Sequence, residues 1–183
     1  TDSRIFGEIA LRVLGRSLRK KETALLLEKY RDEFVRMIKD ESIGSFRLMP
    51  GIPGLLSVLD RKKRFALGVA TGNIEETGWA KLERGRLRRY FRFGAFASDS
   101  NERVEIVRTA IRRGEKLLGK KFPKENIFVI GDAPQDIEAA KKAGARSIAV
   151  ATGRRSESEL AAFSPDFVLP DLSDPERFLK IVP

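Results

Sequence analysis

The chain has 183 residues, 42% of them hydrophobic and 34% charged, with neither cysteine nor histidine. That composition excludes a disulfide framework, thiolate nucleophiles, Ser-His-Asp and Cys-His pairs, and any imidazole-bound metal. The net charge of +10 suits anionic ligands. The runs Arg61-Lys62-Lys63-Arg64 and Arg84 to Arg89 lack interleaved aromatics, so solvated helix surface is the first reading and nucleic-acid binding the second. Apolar runs are far shorter than a membrane span and no secretory signal is visible, so a cytoplasmic protein is expected. Catalysis must rest on carboxylates, hydroxyls, Lys or Arg, and the metal such ligands suit is an oxygen-seeking cation such as Mg²⁺.

In chain order, Ile5, Phe6, Ile9, Val13 and Leu14 share one face of a first helix. Leu26, Leu27, Tyr30, Phe34, Met37 and Ile38 recur at three- and four-residue spacings in a second helix over 20–39. Leu48-Met49-Pro50-Gly51-Ile52-Pro53-Gly54 punctuates the chain. The expected division is a partial helical cap over 1–46 and an α/β core over 47–183. Past that boundary, helices at 54–61, 75–83, 102–118, 134–142 and 175–181 alternate with apolar strands at 65–70, 93–97, 127–130, 147–151 and 167–169. Continuous apolar strands followed by helices predict a parallel sheet covered on both faces.

Ligands of such sheets bind beyond the carboxyl ends of the strands. Thr71-Gly72-Asn73 lies at one such end, before a helix, as an anion cradle or as an ordinary N-cap. Gly131-Asp132 lies at another, with Pro134 and Asp136 in the next helix's first turn. Two acids there serve either capping or a Mg²⁺ ion, and one acid suffices for a cap. Arg103 opens the long helix, where a cation opposes the dipole; a phosphate or carboxylate partner accounts for it better than local stability does.

A hydrophobic strand ending in Thr71-Gly72-Asn73, then Arg103 at a helix start, then hydrophobic-Gly131-Asp132-x-x-x-Asp136 resembles motifs two, three and four of the haloacid dehalogenase-like hydrolases. The helical segment before Pro50 is similar to the inserted cap of phosphoglycolate phosphatase-like and phosphonatase-like members. The resemblance implies a three-layer, Rossmann-like parallel-sheet core with a partial all-helical cap. It also implies a Mg²⁺-dependent phosphohydrolase of small phosphorylated metabolites, acting through an aspartyl-phosphate intermediate. Thr71, Gly72, Asn73 and Arg103 would then bind phosphate, Thr71 and Arg103 would assist catalysis, and Asp132 and Asp136 would hold Mg²⁺.

The chain departs from that family in one respect: it contains no Asp-x-Asp, the motif that supplies the nucleophile and the acid/base from the first core strand. That strand lies in the family between those at 65–70 and 127–130, so two apolar strands are expected to have unpaired edges. We expect the 183 residues to be inactive alone, with the missing strand coming from a preceding segment or from a partner. The alternative is a non-catalytic remnant that binds a phosphate ligand or a protein partner.

Overall fold

The computed structural model describes residues 1–40 and 46–182. Residues 41–45 of the expected cap segment lie outside the described residues. Two helices open the chain, α1 (Asp2–Leu14) and α2 (Lys20–Lys39). They meet where Phe6 packs edge-on against Tyr30, with ring centroids 4.9 Å apart. The apolar stripe of α1 shares one face, as its spacing predicts, but α2 covers little of it: Ile5, Ile9 and Val13 remain 53%, 50% and 74% exposed. The start of α2 is fixed by Glu22, whose carboxylate accepts the Arg19 N–H at 2.7 Å and both Arg16 guanidinium nitrogens. Those donors pull the Glu22 pKa down to about 2.

Gly51 turns the chain into α3 (Ile52–Lys62) at φ 80°. A Cβ there would strike the backbone of Leu172 and Ser173, so the tight approach as well as the dihedral demands glycine. The remaining elements alternate: β1 (Gly68–Ala70), α4 (Glu75–Arg84), β2 (Phe93–Ala95), α5 (Arg103–Leu118), β3 (Phe128–Gly131), α6 (Pro134–Ala143), β4 (Arg146–Val150), α7 (Glu157–Ala161), β5 (Phe167–Leu169) and α8 (Pro175–Ile181). Every strand pairing is parallel.

The pleat of β4 shows how the layers are made, because alternate side chains leave opposite faces of a strand. Ile148 and Val150 pack with Leu55 and Leu59 of α3 and Phe178 of α8, while Ala149 packs with Ile137 of α6 and Leu160 of α7. Ala95 of β2 sits against Ile106 and Ala110 of α5. Helices therefore cover both faces of a parallel core, as the alternation predicts.

The sheet is interrupted where unpaired edges were expected, giving two: β1–β2, and β3–β4–β5. Among the described residues β1 pairs only with β2, and β3 pairs with β4 alone on its other side from the gap. α5 lies along β1 and β2 and packs on α6, which lies along β3 and β4, so the α5/α6 seam spans the interval between the sheets. Gly68, Ala70 and Ile130 on the flanking strands are exposed, Ile130 at 43%. Among the described residues no strand lies between these two, so their facing edges are uncovered. No helix among the described residues is long and apolar enough to cross a membrane.

Candidate functional site

The residues singled out in the sequence fall into two clusters, both at carboxyl ends of parallel strands. Just past β1, the Thr71 N–H bonds Ala95 O at 3.1 Å, and the Ala97 N–H returns to Asn73 O at 2.8 Å. These bonds hold the 71–73 loop against the loop that follows β2. Inside it, the Asn73 N–H donates to Thr71 Oγ1 at 3.2 Å.

The ordinary N-cap reading of this loop is not what the structure contains. The N-cap of α4 is Ile74, which offers no capping side chain. The orphan amides are met from elsewhere: Ile74 N–H by the Asp2 carboxylate at 2.9 Å, and Glu75 N–H by Ser98 Oγ at 3.0 Å. Thr71 and Asn73 are thus released from that duty.

The second cluster forms where β3 meets α6. Arg103, the first residue of α5, directs Nε to Asp136 Oδ1 at 3.1 Å, with the Asp136 side chain only 13% exposed. The cation at the helix start has the carboxylate partner expected of it. Burial pushes the Asp136 carboxyl above the ordinary carboxylate range; Arg103 pulls it down and the nearby Asp132 charge pushes it up. Asp132 is exposed, and while its backbone hydrogen-bonds the Asp136 carboxylate, its own carboxylate forms no ion pair with the described residues. Two close acids, one of them unpaired, gain from a cation.

Small residues keep that corner open. A Cβ at Gly131 would collide with the Asp136 side chain, and one at Gly153, just past β4, would collide with the Asp132 carboxylate. No group of three or more acids that could cage a metal occurs among the described residues. The donor set is therefore two carboxylates, which suits Mg²⁺, an ion that commonly takes one or two carboxylates and completes its shell with water and substrate phosphate. It does not suit a cation that needs an all-protein cage.

Arg103, Asp132 and Asp136 are brought together, and Thr71, Gly72 and Asn73 form their own loop. No hydrogen bond or ion pair among the described residues joins the two clusters directly; Thr1 packs its Cα over Gly72 and has Oγ1 3.3 Å from Asn101 Oδ1. The residues that follow β2 have local duties. Ser98 meets Glu75 N–H, and Ser100 Oγ accepts the Glu102 N–H at 3.1 Å. Asp99 receives the Phe96 N–H and a bidentate Arg113 at 2.7 and 2.8 Å.

Sequence reasoning missed Asp2 and Lys81. Lys81 Nζ donates to Asn73 Oδ1 at 2.9 Å and lies 5.0 Å from the Phe34 ring centroid. Burial pushes its ammonium below the ordinary lysine range, and the Asp2 charge offsets part of that. Asp2 lies in a helix 71 residues from Asn73 and Lys81 two turns into the helix that follows the loop, and no local pattern marks either.

Comparison with known proteins agrees with this architecture. A family model described as HAD-hydrolase-like matches residues 104–175. The chain is 27% identical over 139 residues to phosphoglycolate phosphatase of Synechococcus elongatus, covering 73% of this chain and 60% of that protein. It is 33% identical over 113 residues to pyrophosphatase PpaX of Halalkalibacterium halodurans, covering 60% of this chain and 51% of that protein. The chain thus spans between half and three-fifths of the length of these two relatives. Its fold is similar to that of a predicted phosphoglycolate phosphatase from Haemophilus somnus 129pt, with a TM-score of 0.70 at 19% identity over 99% of this chain and 76% of that one. With strand-end residues, parallel α/β core and the match over residues 104–175 in agreement, the chain is similar to the haloacid dehalogenase-like hydrolases in sequence and in fold.

Proposed function

We propose that these 183 residues are the greater part of a Mg²⁺-dependent phosphohydrolase of small phosphate esters. The observation that carries this reading is the Asp132, Asp136 and Arg103 corner at the tip of β3, beside a strand edge that lacks its neighbour. The phosphatase and pyrophosphatase names of the matched relatives support it.

In this reading the Thr71 hydroxyl donates to a phosphoryl oxygen, and Gly72 and Asn73 bring backbone N–H groups to the same anion. Arg103 balances its charge from the start of α5. Asp132 and Asp136 are the residues that hold Mg²⁺, which when bound neutralises charge on the phosphoryl group. Residues 1–46 serve as a cap beside the site. The nucleophile and the acid/base are the two aspartates of an Asp-x-Asp segment outside this sequence, running as a strand between β1 and β3. The first aspartate attacks phosphorus and forms an aspartyl phosphate while the second protonates the departing alcohol; water then releases phosphate. Asp132 does not replace that nucleophile, because its charge is committed to the cation.

The 183 residues alone are therefore expected to be inactive. Hydrolysis of p-nitrophenyl phosphate tests this: no turnover by the chain alone, and Mg²⁺-dependent turnover once an N-terminal Asp-x-Asp strand is joined to it. Turnover by the unextended chain that Asp132→Ala abolishes would refute the need for the strand. The unpaired edges of β1 and β3 also favour a second reading, a non-catalytic phosphate-binding remnant whose strand comes from a partner chain. A genuine start codon at the head of this sequence, with no Asp-x-Asp upstream, would decide for it.

A further inference from the structure

Asp2 is buried, at 7% exposure, in a place where a first-turn acid of a helix ordinarily faces solvent and serves the dipole. Its carboxylate leaves its own helix and crosses to the 71–74 segment. There it accepts the Asn73 Nδ2 hydrogen at 3.1 Å and the Ile74 N–H at 2.9 Å, while the Asp2 N–H donates to Gly72 O at 2.8 Å. One residue of α1 thus bonds three successive residues of the loop.

The effect on Asn73 is to fix both ends of its amide. Oδ1 takes the Lys81 ammonium at 2.9 Å and Nδ2 faces the Asp2 carboxylate. Only one orientation satisfies a cation on one side and an anion on the other. With Asn73 set, its N–H reaches Thr71 Oγ1 and occupies a lone pair of that hydroxyl. The hydroxyl hydrogen has only the long 3.4 Å contact to Asn73 Oδ1 within the loop, at an oxygen that Lys81 already holds, so it is available to an incoming acceptor.

We infer that Asp2 is a positioning residue of the phosphate-binding loop, holding Gly72, Asn73 and Ile74 in the arrangement that presents the Thr71 hydroxyl to an anion. The inference rests on the proposed phosphate role of that loop. Charge alone argues against an acid beside an anion site, since it repels the ligand. This gives the test a sign: a bystander acid, once neutralised, leaves phosphate binding stronger, whereas loss of a positioning acid leaves it weaker.

The experiment is titration of the 183-residue chain and its Asp2→Asn variant with inorganic phosphate in the presence of Mg²⁺, together with amide hydrogen exchange at Asn73 and Ile74. We expect the variant to bind phosphate at least about tenfold more weakly and to exchange those two amides at least about tenfold faster, with exchange at Val150 in the core unchanged. Phosphate binding equal to or tighter than wild type overturns the inference. Should wild type bind no phosphate, the phosphohydrolase reading falls, and exchange alone decides on Asp2: faster at Asn73 and Ile74 supports the positioning role, unchanged refutes it. If Asp2→Asn does not fold, Asp2→Glu, which keeps the charge but moves it by one methylene, is read by the same two quantities.

Discussion

At Gly153 one added methyl group would meet the Asp132 carboxylate, although the position is exposed and adds little to the core. Gly153→Ala is therefore expected to weaken Mg²⁺ binding by about tenfold or more while changing stability by no more than about 0.5 kcal/mol, a pairing that calorimetric titration and thermal melting read separately. Asp136 offers a pH signature. Because burial raises its pKa, protons compete with the cation at higher pH than they would at a surface acid. Mg²⁺ affinity should fall as pH drops through that raised value, and Asp136→Asn should flatten the dependence. Arg103, Asp132 and Asp136 were legible in the sequence because each sits at a strand-to-helix junction whose local pattern announces it. Asp2 and Lys81 were not, because what singles them out is a hydrogen bond to Asn73, made by Asp2 across 71 residues and by Lys81 from two turns into α4.

Among the elements, periodicity set the ends of α2, β5 and α8 where the structure has them. Strand lengths were overread, since Phe65 and Leu67 are apolar for packing against the β4 and α3 cluster while the ladder of β1 begins only at Gly68. The five residues of α7 are too few to show a helical period. Their signal was instead the Ser156-x-x-Glu159 capping box, whose reciprocal bonds are both present. The loop after β2 depends on α5 through Arg113, which grips Asp99 and Gly94 O. Burial raises the Asp99 pKa, but the Arg113 and Phe96 donors outweigh it and hold the carboxyl below its usual value. A depressed folded-state pKa gives stability that is present above the unfolded carboxylate pKa of about 3.9 and lost as pH falls through the folded value. Asp99→Asn should accordingly remove part of the acid limb of the unfolding profile and leave α5 helical, as followed by far-ultraviolet circular dichroism across pH.

On the scale of the whole molecule, alternation of strands and helices was enough to read a parallel, helix-covered core, and the absence of Asp-x-Asp was enough to expect an interrupted sheet. What the sequence could not convey is that both halves keep their own order across the gap, through the α5/α6 seam and the Arg108 bond to Lys142 O at 2.7 Å. The bonds from Thr71 N–H to Ala95 O and from Arg146 N–H to Ile127 O set the parity of the ladders. Odd-numbered residues of β1 and β3 face their partners, so the amides of Gly68, Ala70, Phe128 and Ile130 face the interval between the sheets. Those amides should exchange rapidly in the 183-residue chain and become protected when an Asp-x-Asp strand is joined to it; protection already present without that strand would mean the interval is closed by other means. The central claim, that the strand ends form one Mg²⁺-dependent phosphate site, is tested most directly by the affinity of the chain for inorganic phosphate with and without Mg²⁺, in wild type, Asp132→Asn and Arg103→Ala. Wild type should bind more tightly with Mg²⁺, Asp132→Asn should lose that gain, and Arg103→Ala should bind weakly under either condition. Phosphate affinity indifferent to Mg²⁺ and to both substitutions would contradict it.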